Sequence, residues 1–556
     1  MKAISGSRKD HLIRLSIFLI TIALVTGVAG CFYTPPSQNL GIRTWYDLYA
    51  IWDDLAGSYL LMNDLDSTTA GYEELASPRA NEGRGWEPIG TTLIQHHGLT
   101  TFVGTFDGQG YEVRDLFINR PDEDAVGLFG YVGQGGVVKD IGVVNATVTG
   151  GPYVGIFGIV GGGGRIEDIG VVNATVTGDD CVGGLVGRNF YGTVSNSYSI
   201  GSVTGNHSVG GLVGENDRGS VSDSYYNYDE CLINGESVIT IGALFGEDFE
   251  RWLANDKSLD VNERLSQEAG YYVISDVADL KQLLAFGQDD TLTFRLTNDL
   301  DLAGEPGFYI PYLAGEFDGN GHRILSLTCD LGSVSSVGLF GYLASGGRVS
   351  QVGVENVNVT GSLWVGGLVG ENYFGTVSKC YSTGSVTTGD RDAGGLVGCN
   401  EGTVSGSYST CNVTGDWRVG GLVGENDRGT VSNSYSTGNV IGNSAIGGLV
   451  GQDYEGGTVS NSYSTGTVTG NYYVGGLVGS SGDTVNNSFW DTQTSGQAIS
   501  DGGRGTGRTT TEMMSTATFS SAGWDIIEVS GPDERNTAYI WNIVDGATYP
   551  FLSWES

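Results

Sequence analysis

Short hydrophobic segments alternate with glycine-rich turns through most of the chain, and the alternation has a nearly constant period. The repeating unit centres on Val-Gly-Gly-Leu-Val-Gly and continues through a turn, a strand such as Thr193 to Tyr198, and a short Val-Thr-Gly segment. Three strand-like pieces separated by turns predict one three-sided coil per unit. Units spaced by 26 to 28 residues begin at Val126, Val154, Val182 and Val209, and again at Val337, Val365, Ala393, Val419, Ile446 and Val474.

One such unit cannot fold alone, because it has too few Val, Leu and Tyr side chains for a core and its strands have no partners. Stacking the units solves both problems, so we predict an all-β fold, a parallel β-helix (β-solenoid) of 26–28-residue coils. Coils about 4.8 Å apart would make a rod of roughly 50 Å. A transmembrane barrel is the competing all-β fold, but its strands need about ten residues with alternating apolar side chains. The strands here are shorter and richer in glycine.

A larger duplication lies above the repeats. Asn63 to Asp66 matches Asn298 to Asp301, and from Phe106-Asp107-Gly108 and Phe317-Asp318-Gly319 onward the two copies keep a constant offset of 211 residues. A short amphipathic helix is predicted before each copy as a cap, one started by Thr44 and the other by Ser275. The predicted domains are a signal peptide (1–30), a linker (31–43), a first capped module (44–228), a junction with a helical cap (229–296), a second module (297–489) and a C-terminal closure (490–556).

The N-terminus predicts export and lipid anchoring. Four basic residues precede an uncharged run from Leu15 to Gly30 that is too short for a comfortable membrane span. The run ends in Val28-Ala29-Gly30-Cys31, which matches a lipobox in which Cys31 is acylated. We therefore expect a lipid-anchored protein of the cell envelope or cell surface. Its contact with the membrane would be through the lipid.

The formal net charge is −37, and a surface this acidic repels phosphate, so nucleic acid is not an expected partner. The negative charge is explained by solubility, because self-repulsion keeps a β protein with many strand edges dispersed. Binding of Ca²⁺ is the alternative explanation of the charge. Six cysteines besides Cys31 permit disulfides in an exported chain, but their positions within the repeat differ and predict no particular bridge.

Tyrosines recur once per coil and form a ladder in the stacked fold. Because Val194, Asn196 and Tyr198 share strand parity, the ladder is interpreted as structural and facing the core. Outward-facing rings could instead bind sugars. The ladder consists of Tyr198, Tyr225, Tyr381, Tyr408, Tyr435 and Tyr463, with Phe489 at its end.

The chain resembles the GLUG-motif family, named for a Gly-Leu-hydrophobic-Gly core that is seen here at Gly184 to Gly187 and in further copies such as Gly367 to Gly370. The resemblance covers most of residues 60–490. It implies a bacterial or archaeal surface β-helix protein with an adhesin-like role. The same motif occurs in IgA-cleaving metallopeptidases, but the five histidines include no His-Glu-x-x-His, so the resemblance stops at the repeats.

No reactive centre is evident. Asp289 and Asp290 resemble the acid pair of pectin-hydrolysing solenoids, but the companion motifs are missing, so we interpret the pair as a turn. The candidate Ca²⁺ ligands are aspartates that occur in both copies of the module. In each copy, two of them lie on the same side of a strand and one lies in an Asp-Gly turn. They are Asp64, Asp66, Asp107, Asp299, Asp301 and Asp318.

The sequence thus favours a non-enzymatic surface lipoprotein that displays a β-solenoid for adhesion or envelope structure. Its ligand would be an extracellular glycan or protein. A carbohydrate-active enzyme, a polysaccharide lyase or hydrolase on a β-helix, is the alternative. We expect specific chemistry, if any, where the repeat breaks, in residues 67–95, in the junction and in the aromatic tail.

Overall fold

A computed structural model describes residues 39–91, 101–482, 484–500 and 504–555. The predicted signal peptide and Cys31 lie outside the described residues. From Gly41 onward the chain belongs to one compact unit. This unit contains two parallel β-solenoids, as predicted, and in the described part of the chain no strand of one solenoid pairs with a strand of the other.

The first solenoid is built from coils that repeat in register. Arg165 pairs with both Val137 and Thr193, the same position in the coils before and after it. The solenoid continues past residue 228, because Tyr226 pairs with Ala243. Its strands are Leu40–Ile42, Ser58–Leu61, Thr105–Asp107, Glu112–Arg114, Phe117–Arg120, Phe129–Val132, Val137–Val144, Thr147–Gly150, Phe157–Gly161, Arg165–Thr177, Asp180–Gly183, Val186–Phe190, Thr193–Ser195, Tyr198–Thr204, His207–Gly210, Val213–Asp217, Ser220–Ser222, Tyr225–Asn227, Leu232–Ile233 and Ala243–Leu244.

The second solenoid has three sheets, one along each side of the coil. One sheet contains Gln267–Glu268, Tyr271–Ile274, Thr293–Leu296, Glu316–Asp318, Arg348–Ser350, Thr376–Ser378, Thr403–Ser405, Thr430–Ser432, Thr458–Ser460 and Thr484–Asn486. Another contains Ile310–Leu313, Phe340–Leu343, Val369–Asn372, Val397–Asn400, Val423–Asp427, Val450–Tyr454 and Val478–Ser481. The third contains Leu300–Asp301, Arg323–Leu325, Thr328–Leu331, Gly353–Gly366, Tyr381–Gly394, Tyr408–Ser409, Asn412–Thr414, Trp417–Gly420, Tyr435–Ser436, Val440–Ile441, Ser444–Gly447, Tyr463–Ser464, Val468–Thr469, Tyr472–Gly475, Phe489–Asp491 and Thr506–Arg508.

Helices and a small sheet cover the ends and sides of the solenoids. The small sheet contains Ile526–Glu528, Trp541–Ile543 and Phe551–Leu552. The α-helices are Trp45–Tyr49, Tyr72–Leu75, Gly246–Ala254, Val277–Lys281, Leu283–Phe286, Thr510–Met513 and Thr516–Ser520, and the 3₁₀ helices are Ala50–Asp53, Ala80–Gly83 and Val261–Glu263.

The first predicted cap is confirmed in detail. Thr44 accepts a hydrogen bond from the Asp47 amide, and the Asp47 carboxylate accepts one from the Thr44 amide, which is a capping box. The apolar face of this helix is fully buried at Trp45 and Leu48. The second predicted cap was wrong by one residue, because Asp276 is the N-cap and accepts from the Asp279 amide. Ser275 instead donates its hydroxyl and its amide to the Asp279 carboxylate.

Inside several coils of both solenoids, the Val and Leu rows are joined by a buried polar row that the sequence analysis missed. The Asn372 side-chain amide donates to the Asn400 oxygen at 2.7 Å, and Asn400 repeats this contact with Asn426 one coil further on. All three side chains are buried. Such an amide ladder satisfies polar groups that the glycine-rich turn brings into the core. The pattern that could have predicted it is the recurrence of Asn two residues after Gly-Leu-Val-Gly, at positions 189, 216, 372, 400 and 426.

Glycine is required where neighbouring coils nearly touch. A Cβ atom on Gly466 would lie 1.7 Å from the Gly438 carbonyl oxygen. We predict that Gly466→Ala lowers the free energy of unfolding by about 1–3 kcal/mol, because two backbones must separate. Gly304→Ala, whose Cβ would meet nothing within 4 Å, is the control and should change it by less than about 1 kcal/mol. Urea denaturation measures both, and equal values would contradict the close-packing explanation.

Candidate functional site

The tyrosine ladder points away from the solenoid core, contrary to the parity prediction. The corner residue Asn196 has φ 49°, and this left-handed residue shifts the alternation by one position. Ser197 and Ser199 are therefore buried inside the coil, whereas Tyr198 lies on its outer surface. Tyr435 and Tyr463 of the second solenoid stack with centroids 5.0 Å apart and planes within 4°.

Aromatic residues from outside the repeats cover much of this outward ladder. In the first solenoid, Trp252 of the helix Gly246–Ala254 lies 5.1 Å from Tyr225, edge to face. In the second, Trp541 of the C-terminal sheet lies 5.8 Å from Tyr463. Both tryptophans are buried. The ladder is therefore a structural feature, as favoured, but it holds the flanking segments rather than the solenoid interior.

The two solenoids touch side by side. The Ser208 and Ser335 hydroxyls are 2.8 Å apart, and the Val209 amide donates to the Ser333 carbonyl oxygen at 3.1 Å. The strongest contacts come from Arg218 of the first solenoid. Its guanidinium donates to Glu401 and Asp427 of the second, at 2.8 Å in each case.

Carboxylates outnumber arginines in this inter-solenoid contact. Glu371 is 2% exposed and accepts a hydrogen bond from the Ser336 hydroxyl at 3.4 Å. Burial raises its pKa well above the usual value, and the nearby charges of Asp217 and Glu401 raise it further. The Glu371 carboxyl is thus neutral over a pH range in which an exposed glutamate is ionised.

A pH dependence follows from Glu371. Since its pKa is higher in the folded than in the unfolded chain, the folded state holds the extra proton between the two pKa values. Stability should then fall as pH rises from the unfolded pKa of about 4.3 toward the folded pKa, by up to about 1.4 kcal/mol per pH unit. Glu371→Gln should flatten this slope in urea unfolding measured from pH 5 to 8. Gln452 occupies the same repeat position, so the substitution suits the coil.

Glu455→Gln serves as the control for that series. Its side chain is 48% exposed, in a weak pair with Arg428, and we expect no change in the slope. A slope in Glu371→Gln equal to that of the wild type would contradict the assignment of the buried proton to this residue. A reduced slope is expected to remain, because burial also raises the pKa values of Asp392 and Glu425.

A cleft of about 500 Å³ opens between the solenoids where the repeat is interrupted. One wall is the strand Ser220–Ser222 of the first solenoid together with Trp252. The opposite wall contains Tyr312 and Tyr342, whose rings stack at 5.3 Å. Hydrogen bonds of 3.1 and 2.9 Å between Gln288 and the Ser224 backbone fix the two walls relative to each other.

The predicted acid pair lies at this cleft. Asp289 forms the expected turn, since its Oδ1 accepts from the Thr291 amide and hydroxyl at 2.9 and 2.6 Å. Asp290 follows it, and both line the cleft together with Asp223 of the first solenoid. Partial burial raises the pKa of Asp223, and the charge of Asp289 raises it further. The sequence could not pair Asp223 with Asp289, because 66 residues and a solenoid boundary separate them.

The six Ca²⁺ candidates accept hydrogen bonds from their own turns or from a neighbouring coil. Among the described residues, no group of three or more His, Cys, Asp and Glu could hold a metal ion. Asp64 accepts from the Glu112 amide, Asp66 from Thr68, Asp107 from the Gln109 amide, Asp299 from the Arg323 amide, Asp301 from the Ala303 amide, and Asp318 from the Asn320 amide and Arg295.

Cys181, Cys231, Cys329, Cys380, Cys399 and Cys411 are buried free thiols. No helix in the described ranges is long and apolar enough to span a bilayer.

Exposed aromatic rings gather on the last coils of the second solenoid. Ser444 pairs in register with Trp417 on the coil before it and with Tyr472 on the coil after it. Trp417 and Tyr472 are therefore two coils, about 10 Å, apart along the axis. Trp417 is 38% exposed, and Tyr472 and its neighbour Tyr473 are each 64% exposed. We call Trp417, Tyr472 and Tyr473 the aromatic row.

A polar row borders the aromatic row. The Asn471 side-chain amide donates to the Asn443 side-chain oxygen on the preceding coil at 3.0 Å. The Asn443 backbone amide donates to the Asp416 carbonyl oxygen at 2.9 Å. These residues immediately precede the strands that carry the aromatic row. Rigid rings and fixed amides thus share one solvent-facing surface.

Comparisons with known proteins agree with the repeat. The family model described as the GLUG motif matches residues 178–204, 361–387, 415–441 and 442–469. Halomucin of Haloquadratum walsbyi is 32% identical over 146 residues, which is 23% of this chain and 2% of halomucin. A protein of Evansella cellulosilytica, named as a candidate Gly-rich membrane protein, is 39% identical over 72 residues, 13% of this chain and 8% of that protein. The chain therefore spans only a small part of these relatives.

A solved structure of a candidate immunoglobulin A1 protease from Bacteroides ovatus is 20% identical, with a TM-score of 0.39. The similarity covers 52% of this chain and 94% of that one. Because the motif matches fall on coils of both solenoids, at the period read from the sequence, the chain contains GLUG-motif repeats folded as coils of a parallel β-solenoid.

Proposed function

We propose that this chain is an exported protein, lipid-anchored at Cys31, that displays its solenoids at the cell surface for adhesion without catalysis. The aromatic row is the observation that carries the proposal. Large aromatic side chains left exposed together on a rigid surface are typical of a contact site. Similarity to a membrane protein and to halomucin supports the location.

The ligand of the aromatic row is better matched by an extracellular glycan than by a protein. Taking about 200 Å² for a Tyr and about 250 Å² for a Trp side chain, the exposed fractions leave roughly 350 Å² of aromatic surface. A standard protein interface needs about 800 Å² per partner. A sugar chain lying along the axis could stack on Trp417 and Tyr472 and bond to the amides of Asn443 and Asn471.

A glycan and matrix-protein array tests the adhesion proposal. The mature chain should bind polysaccharide spots, and a triple variant, Trp417→Ala with Tyr472→Ala and Tyr473→Ala, should lose at least tenfold of the bound protein. Tyr111→Ala, a change at another exposed tyrosine (39%), is the matched control. A triple variant that binds like the wild type would contradict the proposal. A parallel array with EDTA tests the predicted binding of Ca²⁺. If Ca²⁺ is needed, chelation should abolish binding of the mature chain to the glycan spots.

Palmitate labelling in the host cell tests the anchor. Label should enter the wild-type chain and be absent from Cys31→Ser. Unchanged labelling of that variant would rule out Cys31 as the lipid site.

Carbohydrate cleavage is the second candidate function, and the cleft is the observation that favours it. Asp223, with its raised pKa, could act as an acid beside the Asp289 carboxyl. Incubation with uronate and neutral polysaccharides would then release reducing ends or unsaturated products, and Asp223→Asn would abolish the release. Intact polysaccharides after prolonged incubation would exclude this alternative.

A further inference from the structure

We propose that the cleft between the solenoids binds an uncharged sugar residue, at a site separate from the aromatic row. Its volume of about 500 Å³ falls within the range of small-molecule sites, and its walls are fixed by the contacts of Gln288 and Arg218. The inference extends the proposed adhesion function, because it adds a second site and names the ligand class of that site.

Two buried donors on opposite walls have no hydrogen-bond partner in the described part of the chain. They are the indole Nε1 of Trp252 and the hydroxyl of Tyr342. The two side chains are 1% and 0% exposed, and both line the cleft. A buried donor without an acceptor is costly. A ligand that brings acceptors into the cleft would satisfy both.

Acceptors stand at the mouth of the same cleft. Asp223 and Asp290 are exposed there, and Asp289 uses only its Oδ1 in the turn to Thr291. Ser220 and Ser222 also line the cleft. The cleft therefore presents donors in its depth and acceptors at its rim.

This mixture selects the ligand class. An ammonium group supplies donors alone and would leave the Trp252 indole unsatisfied. A phosphate, or the carboxylate of a uronate, supplies acceptors alone and meets three carboxylates, while the guanidinium of Arg218 in the lining is already paired with Glu401 and Asp427. Sugar hydroxyls both donate and accept, and the apolar face of a pyranose ring suits the aromatic walls. The chemistry thus points to a neutral sugar, either free or at the end of a glycan.

The repeat itself supplies a safe variant for the test. Asp223 is a left-handed corner residue with φ 44°, and Asn occupies the same corner at Asn196 (φ 49°). Asp223→Asn should therefore fold normally. Asp140, with φ 53° at the corresponding corner of an earlier coil and outside the cleft lining, gives the matched control Asp140→Asn.

Calorimetric titration of the mature chain with cellobiose, maltose, lactose and N,N′-diacetylchitobiose is the experiment. At least one sugar should bind, and its Kd should rise at least tenfold in Asp223→Asn and stay within twofold in Asp140→Asn. Tyr342→Phe should raise the Kd at least threefold without lowering Tm. A hydroxyl with only a structural role would leave the Kd unchanged.

Three outcomes would overturn the inference. They are no binding of any of the four sugars, equal Kd values in the wild type and both cleft variants, or binding of spermidine in place of sugars. The triple variant of the aromatic row should retain the small-sugar titration and lose polysaccharide binding, so failure of the adhesion proposal is visible separately. Cleavage of a bound sugar would support the sugar site and overturn the non-enzymatic function.

Discussion

Arg218→Ala is expected to lower the free energy of unfolding by about 3–5 kcal/mol. The side chain is 19% exposed and pairs with Glu401 and Asp427, whose side chains are 4% and 10% exposed. Removing the guanidinium leaves these two carboxylates between the solenoids with less compensating charge, beside the buried Glu371. Removal of one partner from a largely buried ion pair typically costs this much. Urea unfolding measures the loss.

The chain contains a control with the same local sequence. Residues 214–219 and 424–429 both read Gly-Glu-Asn-Asp-Arg-Gly. Arg428 is 39% exposed and pairs with the exposed Glu455 and with Asp427, which keeps Arg218 as its partner when Arg428 is removed. Arg428→Ala should therefore cost no more than about 1 kcal/mol. Trypsin should also cut within residues 228–296 faster in Arg218→Ala than in Arg428→Ala. Equal losses in the two variants would show that the local turn, rather than the inter-solenoid contact, accounts for the effect.

The different environments of Arg218 and Arg428 separate the contacts that a repeat sequence predicts from those that it does not. Strand pairing is repeated every 26 to 28 residues, so the period alone predicts that Val369 stacks on Val397 and that Val397 stacks on Val423. Contacts of this kind join residues one repeat apart, and these residues lie on adjacent coils. The packing of one solenoid against the other has no period, and identical hexapeptides therefore have different environments.

The ladder shows a second limit, this time within a coil. Alternation of side chains predicts the direction of Tyr198 only while every residue is extended. Asn196 is left-handed, and the same corner is left-handed at Asp223 and Asn433. Asn and Asp are the residues that tolerate this conformation most readily. Their recurrence immediately after Val-Ser indicates the corner, so this correction could have been made from the sequence.

The candidate cleft could not be predicted from the sequence. Asp289 and Asp290 were recognised as an acid pair and correctly assigned to a turn. Their neighbours Asp223, Trp252 and Tyr342 come from a different solenoid, a junction helix and a later coil. Only the contact between the solenoids brings these residues together.

Trp541→Ala should lower the free energy of unfolding of the C-terminal segment by about 3–5 kcal/mol. The side chain is fully buried, and its ring lies between Tyr435, Tyr463 and Trp524, at 6.1, 5.8 and 4.8 Å. Its removal opens a cavity over the tyrosine ladder, which stays stacked because its own coils hold it. Backbone amides of residues 510–552 should therefore exchange hydrogen at least tenfold faster, while those of the coils before Thr430 remain protected.

Tyr539→Ala is the control for the same segment. Its side chain is 36% exposed, and the change should stay within about 0.5 kcal/mol. Faster exchange throughout the second solenoid in Trp541→Ala would mean that the closure and the coils unfold as one unit. Unchanged exchange in residues 510–552 would mean that the ladder does not hold the closure through Trp541. The predicted result lies between these two, because the coils pair with one another through backbone bonds, whereas the closure meets them largely through aromatic side chains.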